Sequence, residues 1–248
     1  MQLRAEGNLN MQVLVTGATS GIGKAIALAL CDKGYEVVAF GRNADALQAL
    51  AKSGIRSVRV DLADRAAVAQ ATRDLRPAVL INNAGIMPPP GNFCDMQESD
   101  IDQAIAVNLS AVIALTRAIA PGMRQRGSGH IFFTGSTAGH APFANLAVYC
   151  ATKAAIGGFA QALRLDLAPH GVRVTEIVAG RVETGLYKDI LPQQARDAMY
   201  ANNSAVQPED VAAMVMAAME LPAYVDVSRF DILPTHQATA TGGQNKDK

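Results

Sequence analysis

Short apolar runs alternate with longer segments of helical periodicity along most of the chain. The apolar runs predict buried strands, and the segments between them predict helices with an apolar face. The predicted strands are 11–15, 36–40, 57–60, 78–82, 130–134, 172–178 and 227–233. The predicted helices are 24–31, a stretch that ends near 52, 64–75, 100–120, 147–168 and 208–220. Buried strands that alternate with helices indicate a parallel sheet covered on both faces, so we predict a doubly wound α/β fold.

The same pattern suggests limits for the folded unit. No linker-like segment or internal repeat divides the chain, so we predict one domain over 11–238, with disordered polar tails at 1–10 and 239–248. The helix predicted to start at Ser99 should stop at Pro121 and Gly122. Between 181 and 207 the pattern loosens, which is typical of a loop that acts as a lid.

Composition narrows the class of protein. Half of the 248 residues are hydrophobic, and 22 basic residues balance 22 acidic ones, so neither a nucleic acid nor an anionic membrane is an expected partner. The three cysteines and four histidines lack metal-ligand spacing, so we expect reduced thiols and no metal site. No apolar run reaches the roughly 18 residues of a membrane span, and the first ten residues lack the apolar stretch of a signal peptide. We therefore expect a cytoplasmic protein.

Glycines follow the first predicted strand and open the first predicted helix. Free backbone N–H groups and the positive end of a helix dipole would favour an anion there, such as the pyrophosphate of a dinucleotide. The spacing G-x-x-x-G-x-G is also compatible with a plain tight turn. The candidate residues in this loop are Gly17, Thr19, Ser20, Gly21, Ile22 and Gly23.

The end of the second strand bears on cofactor choice. Gly41 stands where an NAD-binding protein carries a carboxylate for the ribose, and Arg42 suits a 2′-phosphate, so the sequence favours NADP over NAD. The alternative is that Arg42 is an ordinary surface arginine. Asp61, followed by Leu62 after the third strand, either accepts from the adenine amino group or caps a helix.

Three polar residues suggest chemistry on a carbonyl or hydroxyl group. Tyr149 and Lys153 are four residues apart on one predicted helix, although such pairs also occur by chance on helix surfaces. An ammonium and an oxidised nicotinamide would lower the pKa of a tyrosine, which is otherwise near 10. Ser136 follows a strand, and its hydroxyl can hold a substrate oxygen. The G-x-S-x-G pattern of hydrolases fails at Thr134.

Amide side chains mark two further positions. Asn83, Ala84 and Gly85 end the fourth strand, where they either line the cofactor or tie neighbouring strands together. Asn108 lies inside a predicted helix, although asparagine is a mediocre helix former. We therefore expect its side chain to be buried and to have a specific role.

Together these motifs resemble the short-chain dehydrogenase/reductase family over almost the whole chain. The matching segments are TGATSGIG at 16–23, NNAG at 82–85, Asn108, Ser136, YCATK at 149–153 and AGRVET at 179–184. The resemblance implies a Rossmann fold with strand order 3-2-1-4-5-6-7 and hydride transfer with NADP(H). It also implies that Asn108 holds a water, Ser136 orients the substrate, Tyr149 is the acid-base and Lys153 binds the nicotinamide ribose. Gly180, Val182 and Thr184 would contact the cofactor, although Ala179 replaces the family's usual proline.

Within the family, the chain is similar to NADP-dependent 3-hydroxy acid and serine 3-dehydrogenases, through segments such as GHIFFTGSTAG at 129–139. Arg181 could pair with a substrate carboxylate or sulfonate, or with Glu183 or Glu176. His140, Phe143 and Tyr187 are candidate substrate neighbours. The alternatives are a 3-oxoacyl thioester reductase and a dinucleotide-sensing regulator without turnover. Largely apolar helices and the family resemblance predict a homotetramer or homodimer.

Overall fold

The computed structural model describes residues 11–188, 190–201 and 204–236. Seven strands form one sheet in the order β3-β2-β1-β4-β5-β6-β7. The strands are β1 Gln12–Thr16, β2 Glu36–Gly41, β3 Arg56–Arg59, β4 Val79–Asn82, β5 Gly129–Thr134, β6 Val172–Ala179 and β7 Arg229–Ile232. Neighbouring strands all pair in parallel. The predicted α/β fold and the implied strand order are confirmed.

Helices cover both faces of the sheet. They are α1 Gly21–Asp32, α2 Ala44–Lys52, α3 Arg65–Thr72, α4 Glu98–Ile105, α5 Ala111–Arg126, α6 Ala147–Leu167, α7 Gln193–Tyr200 and α8 Pro208–Glu220. Successive strand residues point to opposite faces, so Val13 packs with α1 and α8 whereas Leu14 packs with α3, α5 and α6. These two apolar layers hold the sheet in place.

The predicted helix stop at Pro121 and Gly122 is wrong. The helical stretch begins at Glu98, passes through a π turn at Ala106–Ser110 and ends at Gly127, whose φ is +67°. A proline inside a helix removes one N–H···O=C bond to the residue four positions earlier. Pro121 lies on the exposed face, so water can solvate the carbonyl that loses its partner.

By length and composition alone, the stretch Glu98–Arg126 passes the test for a membrane-spanning helix, the one such stretch among the described residues. Half of its most apolar window is buried inside the protein. Val112, Leu115, Ile119 and Met123 supply part of that buried side and pack against the sheet. This is the position of a core helix.

The segment from 181 to 207 contains more structure than the predicted loop. It includes a 3₁₀ turn at Gly185–Tyr187 and helix α7, and Val182 forms a β-bridge with Val206. Helix α7 has no buried residue, and its few apolar side chains, Ala195, Ala198 and Met199, make only a short helical pattern in a polar segment. Residues 189, 202 and 203 of this segment, residues 237 and 238 of the predicted domain, and both predicted tails lie outside the described residues.

Candidate active site

The loop between β1 and α1 brings backbone close to the end of β4. Gly17 and Gly21 have φ values of +63° and +50°, which favour glycine. A Cβ on Gly17 would lie 2.8 Å from the Cα of Ala84, and one on Gly23 would lie 2.4 Å from the Gly17 oxygen. Ser20 is the N-cap of α1 and makes no side-chain capping bond. Ser20, Gly21 and Ile22 line the cleft described below, so the N-terminus of α1 is available there to an anion.

Asn83 ties the loop to the neighbouring strands. Its Nδ2 donates to the carbonyl oxygens of Thr16 and Gly17 at 3.2 and 3.4 Å, and its Oδ1 accepts from Thr134 Oγ1 at 3.3 Å. Thr16 Oγ1 in turn accepts from the backbone N–H groups of Asn83 and Ala84. Of the two roles considered for this segment, strand tying accounts for the Asn83 side chain, although Asn83 also lines the cleft described below.

β2 ends at Gly41, so no carboxylate lies at this position. A Cβ on Gly41 would lie 2.4 Å from Thr19 Cγ2, so any side chain there would disturb the loop. The guanidinium of Arg42 lies 4.0 Å from the Asp61 carboxylate, and both side chains are more than half exposed. Asp61 accepts from the Ala63 N–H, whereas Asp64 caps α3, so Asp61 is not the helix cap.

Tyr149 and Lys153 lie on the buried face of α6. Lys153 Nζ donates to the Thr134 carbonyl at 2.8 Å and lies 5.8 Å from the centre of the Tyr149 ring. Burial lowers the pKa of Lys153 to about 8, against the opposing charge of Glu176, so its amine is mostly charged at neutral pH. Burial raises the pKa of Tyr149, and a hydrogen bond with the Ser136 side chain opposes that rise.

In the protein alone, burial is the largest influence on the Tyr149 pKa. Tyr149 is therefore protonated at neutral pH, which suits a proton donor to a carbonyl oxygen. The lowering expected from Lys153 together with an oxidised nicotinamide stays a prediction.

Asn108 lies in the π turn and is buried, as expected. Its Oδ1 accepts from the Ile86 N–H and its Nδ2 donates to the Ile86 carbonyl, both at 2.8 Å. Nδ2 also contacts Thr152 Oγ1 at 3.3 Å, and Thr152 donates to the Tyr149 carbonyl. The amide therefore holds the chain after β4 against α6. Both hydrogens of Nδ2 are used, and the second lone pair of Oδ1 is the acceptor left for the implied water.

The segment after β6 closes the other end of the site. Arg181 Nη1 donates to the Met199 carbonyl at 3.2 Å, and its charge opposes the burial that raises the pKa of Tyr187. Neither ion pair considered for Arg181 forms, since Glu183 accepts from Gln207 and Glu176 binds His140. The Gly180 N–H donates to the Ile232 carbonyl, which anchors the chain directly after Ala179.

One cleft of about 700 Å³ runs along the carboxyl edge of the sheet. The predicted residues that line it are Gly17, Thr19, Ser20, Gly21, Ile22, Gly41, Arg42, Asp61, Leu62, Asn83, Ala84, Gly85, Ser136, Phe143, Tyr149, Lys153, Gly180, Arg181, Val182, Thr184 and Tyr187. Gly23, Asn108 and His140 are not among the lining residues. Gly23 packs beneath the loop, and His140 turns away from the cleft to bind Glu176 at 2.9 Å.

Sequence reasoning missed an apolar wall of the cleft. It consists of Met87, Leu146, Leu186, Ile190 and Met199. These side chains come from loops, turns and the short helix α7, which all lie between the elements that the sequence predicted. The chemistry that the cleft allows is proton transfer at Tyr149 beside a cation, with an anion site at the glycine loop.

Comparison with known proteins identifies the relatives of this chain. An uncharacterized short-chain type dehydrogenase/reductase, y4eK of Sinorhizobium fredii, is 46% identical over 95% of both chains. Sulfoacetaldehyde reductase 2 of Chromohalobacter salexigens is 36% identical over 95% of this chain and 98% of its own. The NADP-dependent 3-hydroxy acid dehydrogenase of Escherichia coli is 35% identical over 93% and 97%.

Solved structures agree with these relatives. The closed form of a serine dehydrogenase complexed with NADP⁺ has a TM-score of 0.90 and 33% identity, over 96% of this chain and 100% of that one. The family model of the short chain dehydrogenases matches residues 11–195. This match covers more than half of the chain and includes the glycine loop, Ser136, Tyr149 and Lys153, so the protein belongs to the short chain dehydrogenase family.

Proposed function

We propose that the protein is an NADP(H)-dependent oxidoreductase that interconverts a small anionic hydroxy compound and its carbonyl form. The observation that carries the proposal is that one cleft is lined by groups that follow strands on both sides of the sheet. Arg42 follows β2 and the glycine loop follows β1, whereas Ser136 follows β5 and Arg181 follows β6. Lys153, which donates to Thr134 at the end of β5, and Tyr149 line the same cleft.

The residues present fit a dinucleotide with a 2′-phosphate. The glycine loop leaves room for a pyrophosphate beside the N-terminus of α1, and Gly41 offers no carboxylate that would repel a phosphate. Arg42 would hold the 2′-phosphate, and Lys153 would hold the nicotinamide ribose. Support comes from the serine dehydrogenase bound to NADP⁺ and from the NADP-dependent 3-hydroxy acid dehydrogenase.

When bound, NADPH supplies the hydride that a carbonyl carbon accepts. Tyr149, which burial keeps protonated, gives its proton to the carbonyl oxygen, so the product is the alcohol. The Ser136 hydroxyl donates to the same oxygen, while it accepts from the Ala138 N–H at 3.1 Å and is thereby held at the start of its turn. The Lys153 ammonium stabilises the negative charge that remains on Tyr149.

The substrate class rests on Arg181. A guanidinium on the wall of a mostly apolar cleft can bind a carboxylate or a sulfonate through two hydrogen bonds. Sulfoacetaldehyde and 3-hydroxy acids, which the names of two relatives give as their substrates, both carry such a group. A small anion therefore suits the charge that Arg181 brings to the cleft.

The test compares a matched pair of alcohols, 3-hydroxypropanoate and 1,3-propanediol, with NADP⁺. Arg181→Ala should lower kcat/KM for the anion by about tenfold or more, because a lost charged hydrogen bond costs about 1.5–3 kcal/mol. The neutral diol should lose little, and Arg181→Lys should recover part of the anion's rate. A loss of the same factor for both alcohols would mean that Arg181 only anchors the chain near Met199, and it would remove the support for an anionic substrate.

A further inference from the structure

A buried carboxylate lies behind the cleft and has no part in the steps described above. Glu176 is in the middle of β6, and 1% of its surface is exposed. Its Oε1 binds His140 at 2.9 Å, whereas its Oε2 is buried without a hydrogen-bond partner among the described residues. A buried carboxylate with one unbonded oxygen destabilises a fold unless a positive charge lies near it.

Two glycines make the space for this carboxylate. A Cβ on Gly135 would lie 2.5 Å from Glu176 Oε1, and one on Gly157 would lie 3.1 Å from the same atom. Gly135 joins Thr134, which accepts from Lys153, to Ser136. Gly157 follows Lys153 by one helical turn and shares its face of α6. The carboxylate therefore sits between the two segments that carry the proposed reacting groups.

His140 holds the outer side of the carboxylate. It ends the short turn Thr137–Gly139 that begins at Ser136. This turn packs directly on α6, since a Cβ on Gly139 would lie 2.7 Å from the carbonyl carbon of Lys153. The bond between His140 and Glu176 therefore fixes the turn against the helix.

Among the described residues, the other charged and titratable groups on the neighbouring elements either have their own partner or are neutral. Tyr149 is on the same helix as Lys153 and is protonated at neutral pH. On β7, Arg229 is in register with Glu176, but its guanidinium binds Asp231 at 2.7 Å. On β5, the residue in register is Phe133. Lys153 and His140 are thus the cationic or titratable partners left for the carboxylate.

We propose that Glu176 is a positioning residue for the reaction, in which its carboxylate, held by His140 between Gly135 and Gly157, is the counter-charge of the Lys153 ammonium. The inference rests on the proposed function, because the proposed function gives the Lys153 ammonium its two roles, binding the ribose and stabilising Tyr149. As a consequence, the charge of Glu176 should set how kcat/KM and the affinity for NADPH change with pH.

The size of the effect follows from the charge of Lys153. Burial brings its pKa to about 8, and the charge of Glu176 opposes that decrease. Removing an opposite charge from the surroundings of a buried cation lowers the pKa of that cation, and a decrease of about one sets the scale of the effect. The ammonium fraction at pH 8 then falls from about a half to about a tenth, while at pH 6 it stays above about nine tenths.

The decisive variant is Glu176→Gln, which keeps the shape and removes the charge. We expect kcat/KM to fall about fivefold or more at pH 8 and less than about twofold at pH 6. The affinity for NADPH, measured by fluorescence titration, should weaken with the same pH dependence, because Lys153 would bind the ribose. Glu98→Gln, an exposed change at the start of α4, should leave both profiles unchanged.

Loss of the same factor at pH 6 and pH 8 would mean that Glu176 is only structural, and it would overturn the inference. If Glu176→Gln does not fold, His140→Ala and His140→Gln replace it. The alanine variant should lose activity more at pH 8, and the glutamine variant, which can still donate to the carboxylate, should recover it. An alanine variant identical to the wild type would also overturn the inference.

The two proposals can fail separately. A wild-type protein that binds NADPH but reduces none of the anionic carbonyl compounds contradicts the proposed function, and the pH dependence of NADPH affinity in Glu176→Gln then decides the inference. A wild-type protein that does not bind NADPH overturns both.

Discussion

Single residues at or after the ends of β2 and β6 line the cleft. A Cβ on Gly41 would lie 2.4 Å from Thr19 Cγ2, so a larger residue there would have to displace the Thr19 side chain, and glycine also supplies no ribose-binding carboxylate. Arg42 and Arg181 both line the cleft, one near the Asp61 carboxylate and one beside Tyr187. These residues could be predicted from the sequence because each follows a strand of a parallel sheet.

Arg42→Ala should weaken NADPH binding by about tenfold and leave NADH binding almost unchanged. A charged hydrogen bond is worth about 1.5–3 kcal/mol, and the exposure of Arg42 favours the lower end of that range. Dissociation constants for the two cofactors, measured by fluorescence titration, test this directly. Arg56→Ala, at the opposite end of β3, is the matched control. Equal affinities of the wild-type protein for NADPH and NADH would contradict the assignment of Arg42.

The helices show which sequence signals predict where a helix begins or ends. The predicted bounds of α8 agree with the structure, whereas the pair Pro121–Gly122 looks like a helix end and is not one. Local sequence cannot show that Pro121 faces solvent, because that depends on how α5 packs on the sheet. Asp61 and Asp64 present a similar choice of cap, which only the geometry resolves in favour of Asp64.

Asp64→Ala should destabilise the protein by about 1 kcal/mol, because the side chain accepts from the N–H groups of Ala66 and Ala67. For a chain of this length, the thermal midpoint should fall by about 2–4 °C. Asp64→Asn keeps an accepting oxygen and should cost far less, so the pair separates capping from charge. Thermal unfolding of both variants is the measurement, and equal midpoints for alanine and asparagine would contradict the capping role.

At the scale of the molecule, the site is a consequence of the sheet. The carboxyl ends of parallel strands meet at one edge, so motifs that are far apart in sequence converge there. Fold class, strand order and most of the cleft could therefore be predicted. Glu176 could not be predicted as a buried counter-charge, because its partners come from other elements: Gly135 and His140 from the chain after β5, and Gly157 from α6. Its only signal in the sequence is a charged residue inside an apolar strand.

Self-association stays a prediction. Exposed apolar side chains lie on the helices that were expected to pack against another subunit, namely Ile105, Ile113 and Leu165. They are compatible with such an interface, and they do not choose between a dimer and a tetramer.

The central claim is that Tyr149 transfers the proton in a hydride-transfer reaction, and Tyr149→Phe tests it most directly. The variant keeps the ring and removes only the hydroxyl, so it should bind NADPH with nearly unchanged affinity. Turnover, followed by NADPH absorbance with an anionic carbonyl substrate, should fall by a factor of about 10²–10⁴. Lys153→Ala should reduce both binding and turnover. A Tyr149→Phe protein that keeps more than about a hundredth of the wild-type rate would contradict the account.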